Sequence, residues 1–369
     1  MYKILFTPLI LFFTVTFYYS NIPSGYYSTL NGKQSAALKT ELHNIICHDT
    51  THYLTYGSGT NHTWQGFYST DRDTLTNLVI DMYSDSLHYF PEDYISLSYP
   101  GFGQKIHIEH SVPKSWWGCD ITHPDCAAED LNHMYPAEGT MNESKGDNPL
   151  GVVSGTPTKN NGVSKVGPAV YNGYVGNVFE PADEYKGDFA RSYIYMATAY
   201  QHYINKWDTT KPENMMEADT YPTLKPWAIQ LLLQWNRQDP VSQKERTRVE
   251  KVFAIQHNRN PFIDYPELIE YIWGNKVGTT WNITTSIQNP LSNEFEFKFN
   301  SNNSCFTVIF KTNIPIAIAI YTINGQKVLQ DKSFTNFQIH IPILKSGIYF
   351  FEMSSQNSTF KQVLKTIHN

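Results

Sequence analysis

The chain has 369 residues, too many for one ordinary core and enough for two domains with accessory segments. With 41% apolar and 17% charged residues it is far from disordered composition. A formal charge of −6 excludes a protein that holds nucleic acid by bulk positive charge. It leaves room for an enzyme whose positive field is local, supplied by a divalent cation and a few basic side chains.

At the N-terminus, Lys3 precedes Ile4-Leu5-Phe6 and an apolar run over 9–19, followed by Ser20-Asn21. This predicts an export signal over residues 1–20, shorter than the roughly 20 apolar residues a membrane span needs, so no stable membrane insertion is expected after its removal. Residues 26–86 read as helical, with Leu38, Leu42, Ile45 and Ile46 at amphipathic spacing. A turn-rich stretch over 99–174 contains a short strand at 105–109. Helices return over 188–203, 224–236 and 241–256, each with an apolar stripe of the kind that faces a core.

From residue 291 the pattern changes to short β-like runs at 295–299, 305–311, 314–320, 337–341 and 348–353, with turn signals at Asn324-Gly325 and Ser346-Gly347. The expected organisation is a signal at 1–20, a catalytic domain at 25–274, a linker at 275–290 and a small β-sandwich at 291–369. The four cysteines are Cys47, Cys119, Cys126 and Cys305. In an oxidising compartment Cys119 and Cys126 are expected to close a small disulfide loop. The competing reading is a zinc-like set of Cys119, His123 and Cys126, which lacks an evident fourth ligand.

The densest polar constellation runs over residues 106–115, then 129–138, then 142–146, and contains Glu109, His110, Glu129, His133, Asn142 and Lys145. Phosphodiester hydrolysis needs an activated water, charge neutralisation at the phosphate and help for the leaving oxygen. A neutral His suits the base near pH 7, and a carboxylate with a carboxamide suits Mg²⁺ that keeps several waters. Adjacent strand residues face opposite sides, so for Glu109 and His110 to serve one site the strand must end or bulge there. Pro113 is consistent with such an exit.

These segments resemble the secreted endonuclease I family, a branch of the ββα-metal (His-Me finger) nucleases. The matching elements are Glu109-His110-Ser111-Val112-Pro113-Lys114-Ser115, Asp130-Leu131-Asn132-His133-Met134-Tyr135-Pro136-Ala137 and Asn142-Glu143-Ser144-Lys145-Gly146-Asp147. Further likeness at Phe179-Glu180-Pro181, at Lys186-Gly187-Asp188, and through Asn258-Arg259-Asn260-Pro261 carries it in order over roughly 25–274. The resemblance implies an α+β fold, with a ββα-metal nuclease core embedded in a mainly helical domain. It also implies His110 as general base, and Glu109 and Asn142 as ligands of one Mg²⁺ (Mn²⁺ or Ca²⁺ as alternatives). The substrate that the resemblance implies is DNA, with RNA as a second one, cleaved to 5′-phosphate ends with little sequence preference.

Two positions depart from the family: Asn132 stands where a His is usual and Lys145 where an Arg is usual, which keeps the charge but loses the bidentate fork. Lys145 and Arg259 are candidate phosphate contacts, with a buried brace as the other reading of Arg259; Arg191 is read as a brace. Glu129 and His133 are candidates for orienting the first-rank residues, with a purely structural role as the alternative.

The tail resembles the type A sorting domain of type IX secretion, through Ile316-Ala317-Ile318-Ala319-Ile320, Asn324-Gly325 and Leu344-Lys345-Ser346-Gly347-Ile348-Tyr349-Phe350. That implies the type IX machinery as a partner and a secreted or cell-surface location. The competing function is a surface-displayed nucleic-acid-binding protein on an inactive nuclease scaffold.

Overall fold

The computed structural model describes residues 22–48, 51–90, 105–118, 127–283 and, beyond these, seven strands between residues 295 and 366. The expected signal, the segment with Cys119, His123 and Cys126, and the tail turns at Asn324-Gly325 and Ser346 lie outside the described residues. The chain divides into one unit over Ser20–Ile283 and another that contains Thr284–Asn369. Helices dominate the first and strands the second, so the chain is α+β.

Helix α1 (Ser35–Ile46) buries Leu38, Leu42 and Ile46, one residue per turn on the same face. Helix α2 (Thr63–Thr70) is the only other α-helix among the described residues of 26–86, so the expected long helical region is mostly turns. The reason is local: Asp73 Oδ1 accepts from the backbone N–H groups of Leu75 and Thr76, and Asn61 and Asn77 take positive φ. Such side chains offer the backbone an alternative to helix.

Strand β1 (Ile106–His110) pairs antiparallel with β2 (Met134–Glu138), from Ile106 opposite Glu138 to His110 opposite Met134, without a register shift. Helix α3 (Gly139–Lys145) follows at once; the Glu138 carboxylate accepts from the N–H groups of Thr140 and Met141 and caps its first turn. Strands β3 (Lys159–Asn160), β4 (Lys165–Tyr171) and β5 (Tyr174–Glu180) form a separate antiparallel sheet in that order.

Helix α4 (Lys186–Ala199) is buried along its whole length and packs on α5 (Pro226–Gln238). Its start needs Gly187, where a Cβ would stand 2.1 Å from the Asp239 carbonyl oxygen. Helix α6 (Gln243–Gln256) opens with a capping box between Ser242 and Glu245. Arg191 from α4 clasps that same Glu245 at 2.6 and 2.8 Å, tying the two helices together and giving it the bracing role expected. Short helices α7 (Pro261–Asp264) and α8 (Leu268–Ile272) complete the unit. Residues 275–283, expected as linker, stay with it: Trp281 is buried, its backbone bridges Lys33 and its ring meets Tyr265 edge-on.

In the second unit, β6 (Phe295–Asn300), β7 (Cys305–Phe310) and β10 (Gln338–Pro342) form a three-stranded sheet in the order β10-β7-β6. Strands β8 (Ile316–Thr322), β9 (Lys327–Phe334), β11 (Gly347–Ser354) and β12 (Thr359–Thr366) form a four-stranded sheet in the order β12-β11-β8-β9. β9 and β12, absent from the expected β runs, are the two edges of that sheet. Their lysines and glutamines mask the β pattern while suiting an edge.

Candidate active site

A 3₁₀ turn at Ala127–Glu129 organises one side of the site through three successive residues. The Ala127 carbonyl accepts from His133 Nε2, the Ala128 carbonyl accepts from His110 Nε2 at 3.0 Å, and Glu129 Oε1 accepts from the Tyr56 N–H at 3.1 Å. A carbonyl only accepts, so Nε2 of His110 carries the proton and Nδ1 presents a lone pair. His110 Nδ1 makes no hydrogen bond to the described residues, yet it is not among the sealed polar atoms, as His133 Nδ1 is. The Tyr56 ring stacks on His110 with centroids 5.6 Å apart and planes 18° from parallel, and Trp117 and His133 approach it from other directions. Burial, helped by the neighbouring His133, holds the His110 imidazole well below its ordinary 6.5.

Glu109 is 6% exposed, one residue earlier on the same strand. Its Oε1 accepts from the Tyr83 hydroxyl at 2.8 Å and forms an ion pair with Lys145 Nζ at 2.7 Å. Burial first, and the Glu109 charge second, push the Tyr83 phenol far up, so it stays a donor. Strand pairing is regular to its last residue, and β1 ends at His110 without a bulge. Glu109 and His110 therefore take different immediate partners, but they share surroundings. Tyr56 stacks on His110 while its phenol is raised by burial and by the Glu109 charge, and Lys145 acts on both.

Asn142 is half-buried on α3, three residues before Lys145 and so on the helix face that meets Glu109. Its carboxamide makes no hydrogen bond to the described residues, and neither does Glu109 Oε2. Two hard oxygen donors without partners among the described residues fit a divalent cation that keeps several waters. Among the described residues no cluster of three or more His, Cys, Asp or Glu forms a closed protein cage.

Residues 34–267 match the Endonuclease I family. The chain belongs to the endonuclease I family. Residues 289–367 match the secretion system C-terminal sorting domain. Two relatives are extracellular ribonucleases of Bacillus amyloliquefaciens and Bacillus subtilis (strain 168), each 32% identical over 255 residues, which is 67% of this chain and 78% of the relative. This family member is therefore a nuclease, a hydrolase acting on nucleic acid, and its sorting domain marks it as a secreted or cell-surface protein that uses type IX export. Among the described residues no helix is long and apolar enough to cross a membrane.

The remaining expected residues fall in different places. Arg259 is not at the surface as a phosphate contact would be. It is fully buried, clasping Asp264 at 2.7 and 2.9 Å and Glu250 at 2.6 and 3.2 Å, so it braces α6 against α7. Lys145 is 1% exposed and engaged with Glu109 rather than open to solvent. Glu129 reaches the site through the Tyr56 backbone, and His133 through its ring contact with His110. Asn132 joins a buried network in which Asp130 accepts from Asn132, Gln256, Tyr195 and Tyr200, so the departure at this position is absorbed by the core. Tyr56, Tyr83 and Lys114 border the site without having been singled out. Only Lys114 carried a signal, as the cation inside the Glu109-to-Ser115 element.

Proposed function

We propose that the protein is a metal-dependent endonuclease that hydrolyses DNA, and RNA as well, without marked sequence preference. The observation that carries this is the fixed tautomer of His110: Nε2 held by the Ala128 carbonyl, Nδ1 open, and the imidazole kept neutral by burial, one residue from a carboxylate with an oxygen to spare. His110 Nδ1 takes a proton from water as its oxygen bonds to phosphorus in line; the P–O3′ bond breaks with its electron pair on the 3′-oxygen, which takes a proton from solvent to become a 3′-hydroxyl, while the phosphate stays on the 5′ end of the other fragment. Glu109 Oε2 and the Asn142 carboxamide would hold one Mg²⁺, with Mn²⁺ or Ca²⁺ as substitutes. When bound, the cation neutralises phosphate charge and stabilises the leaving 3′-oxygen. Tyr83 and Lys145 hold the Glu109 carboxylate from the other side.

This reading takes β1, β2 and α3 as the ββα-metal core and the two C-terminal sheets as a sandwich read by the type IX machinery. It also takes residues 1–20 as a removable signal.

The test is cleavage of supercoiled plasmid and of RNA by the purified chain, with Mg²⁺ or excess chelator, beside His110→Ala and Glu109→Gln. Expected is cleavage lost with chelator and reduced about 10²–10⁴-fold by His110→Ala. No cleavage by the unmodified chain would favour an inactive binding scaffold, and cleavage indifferent to chelator and to His110→Ala would refute this mechanism.

A further inference from the structure

Most strong cations near the site are already spent on carboxylates: Lys145 on Glu109, Arg248 on Asp71, Arg191 on Glu245, Arg259 on Asp264 and Glu250. Lys114 differs. It is half-buried, and no carboxylate among the described residues lies within ion-pair distance of its ammonium. Its Nζ lies 5.3 Å from the centroid of the Tyr56 ring, the ring that stacks on His110. The Tyr56 hydroxyl likewise makes no hydrogen bond to the described residues. A cation and a hydroxyl donor without partners among the described residues thus border the imidazole.

Both are rigidly mounted. Lys114 begins a 3₁₀ turn (Lys114–Trp116) that follows Pro113 and is followed by Trp117, and Trp116 and Trp117 are fully buried. The preceding Ser111 is pinned to α4, its hydroxyl to that of Ser192 and its carbonyl by the Tyr193 hydroxyl. Tyr56 is fixed through its backbone N–H to Glu129. An ammonium with no carboxylate partner among the described residues is available to an anion. On a chain of net charge −6, a polyanion must be gripped by local groups of this kind.

We propose that Lys114 and the Tyr56 hydroxyl form a phosphate-docking pair that seats a backbone phosphate of the nucleic-acid strand beside His110. This rests on the nuclease reading above and adds two substrate-positioning residues to it. The ammonium supplies a point charge, the phenol a hydrogen-bond donor, and the Tyr56 ring keeps both in register with the base.

The test separates binding from turnover. In a His110→Ala background with chelator present, binding of a fluorescein-labelled DNA duplex is read by anisotropy over a series of salt concentrations, with Lys114→Met, Lys114→Arg and Tyr56→Phe added singly. Expected for Lys114→Met is binding weaker by about tenfold, with the slope of log affinity against log salt reduced by roughly 0.9, one phosphate contact on duplex DNA. Lys114→Arg restores most of the slope, and Tyr56→Phe, which keeps the ring, weakens binding several-fold with the slope unchanged. With His110 intact, the same changes raise KM far more than they lower kcat. An unchanged slope and KM in Lys114→Met, while the unmodified chain still cleaves, overturns the docking pair and leaves the nuclease reading standing. A reduced slope in a chain that does not cleave does the reverse. If Lys114→Met fails to fold, Lys114→Gln carries the same test.

Discussion

His110 lies among the rings of Tyr56, Trp117 and His133, where an imidazolium would lose most of its hydration, and that loss sets its protonation. A general base acts in its deprotonated form, and a folded-state value held below 6.5 keeps that form populated into mildly acidic solution. The acid limb of kcat/KM is therefore expected below pH 6.5, and a pH–rate profile whose limb lies at or above that value removes burial as the controlling influence. Arg259 supports a contrasting expectation. Its guanidinium is buried with two carboxylates, so Arg259→Met strands Asp264 and is expected to lower stability by about 3–5 kcal/mol. In thermal melts and kinetics at a permissive temperature, Tm should fall while KM for DNA stays put. A raised KM with an unchanged Tm would restore the phosphate-contact reading. His110, Glu109 and Asn142 were legible because each belongs to an ordered series of residue types. What each side chain touches was not legible: Lys145 meets a carboxylate 36 positions away by number (145 − 109), and no local pattern encodes that pairing.

At the scale of elements, periodicity was readable where one face is apolar over three or more turns, as in α5, while α6 buries Glu245, Arg248 and Gln256 beside Val249 and Val252. Periodicity misled over 26–86, where the Asp73 and Asp81 side chains claim backbone donors and Asn61 and Asn77 take positive φ, and it missed β9 and β12, whose edge positions call for charge. α1 carries a subtler case. Lys39 sits on the buried stripe beside Leu38 and Leu42, its ammonium donating to Gln201 Oε1 at 3.0 Å and to the Thr220 carbonyl at 2.8 Å. Burial lowers it from 10.5 to about 7, with the Asp219 charge opposing. As pH rises through about 7 the folded chain sheds this proton, while the unfolded chain keeps it to about 10.5. Over that window the unfolded state binds more protons, so stability contributed by this group rises with pH. The Tm of the unmodified protein minus that of Lys39→Met, followed from pH 6 to pH 10, should grow more positive by several degrees. A flat difference would show that Lys39 keeps an ordinary value in the fold.

For the whole molecule, the change from helical to β patterning near residue 274 marks where the sequence alters character, and the first compact unit continues to Ile283. The intervening residues are polar and read as linker, but Trp281 is buried against Tyr265, and its backbone bonds both ways across the bridge to Lys33 and Gly32. Asn31 and Asn282 add side-chain hydrogen bonds to the backbones of Ile283 and Gly32. A single Trp in a polar stretch gives no periodic signal, so this closing strap appears only once the fold brings the start and end of the unit together. Two truncations separate the boundaries. A chain over 20–283 should fold, melt near the temperature of the nuclease unit in the full chain, and cleave plasmid at the same rate. A chain over 20–274 loses the Trp281 side chain from the core, at a cost of about 3–5 kcal/mol, and with it the strap on Lys33. Its Tm should fall by many degrees, and Trp281→Ala in the longer form should reproduce most of that loss. Equal melting of the two truncations would place the end of the nuclease unit before the strap.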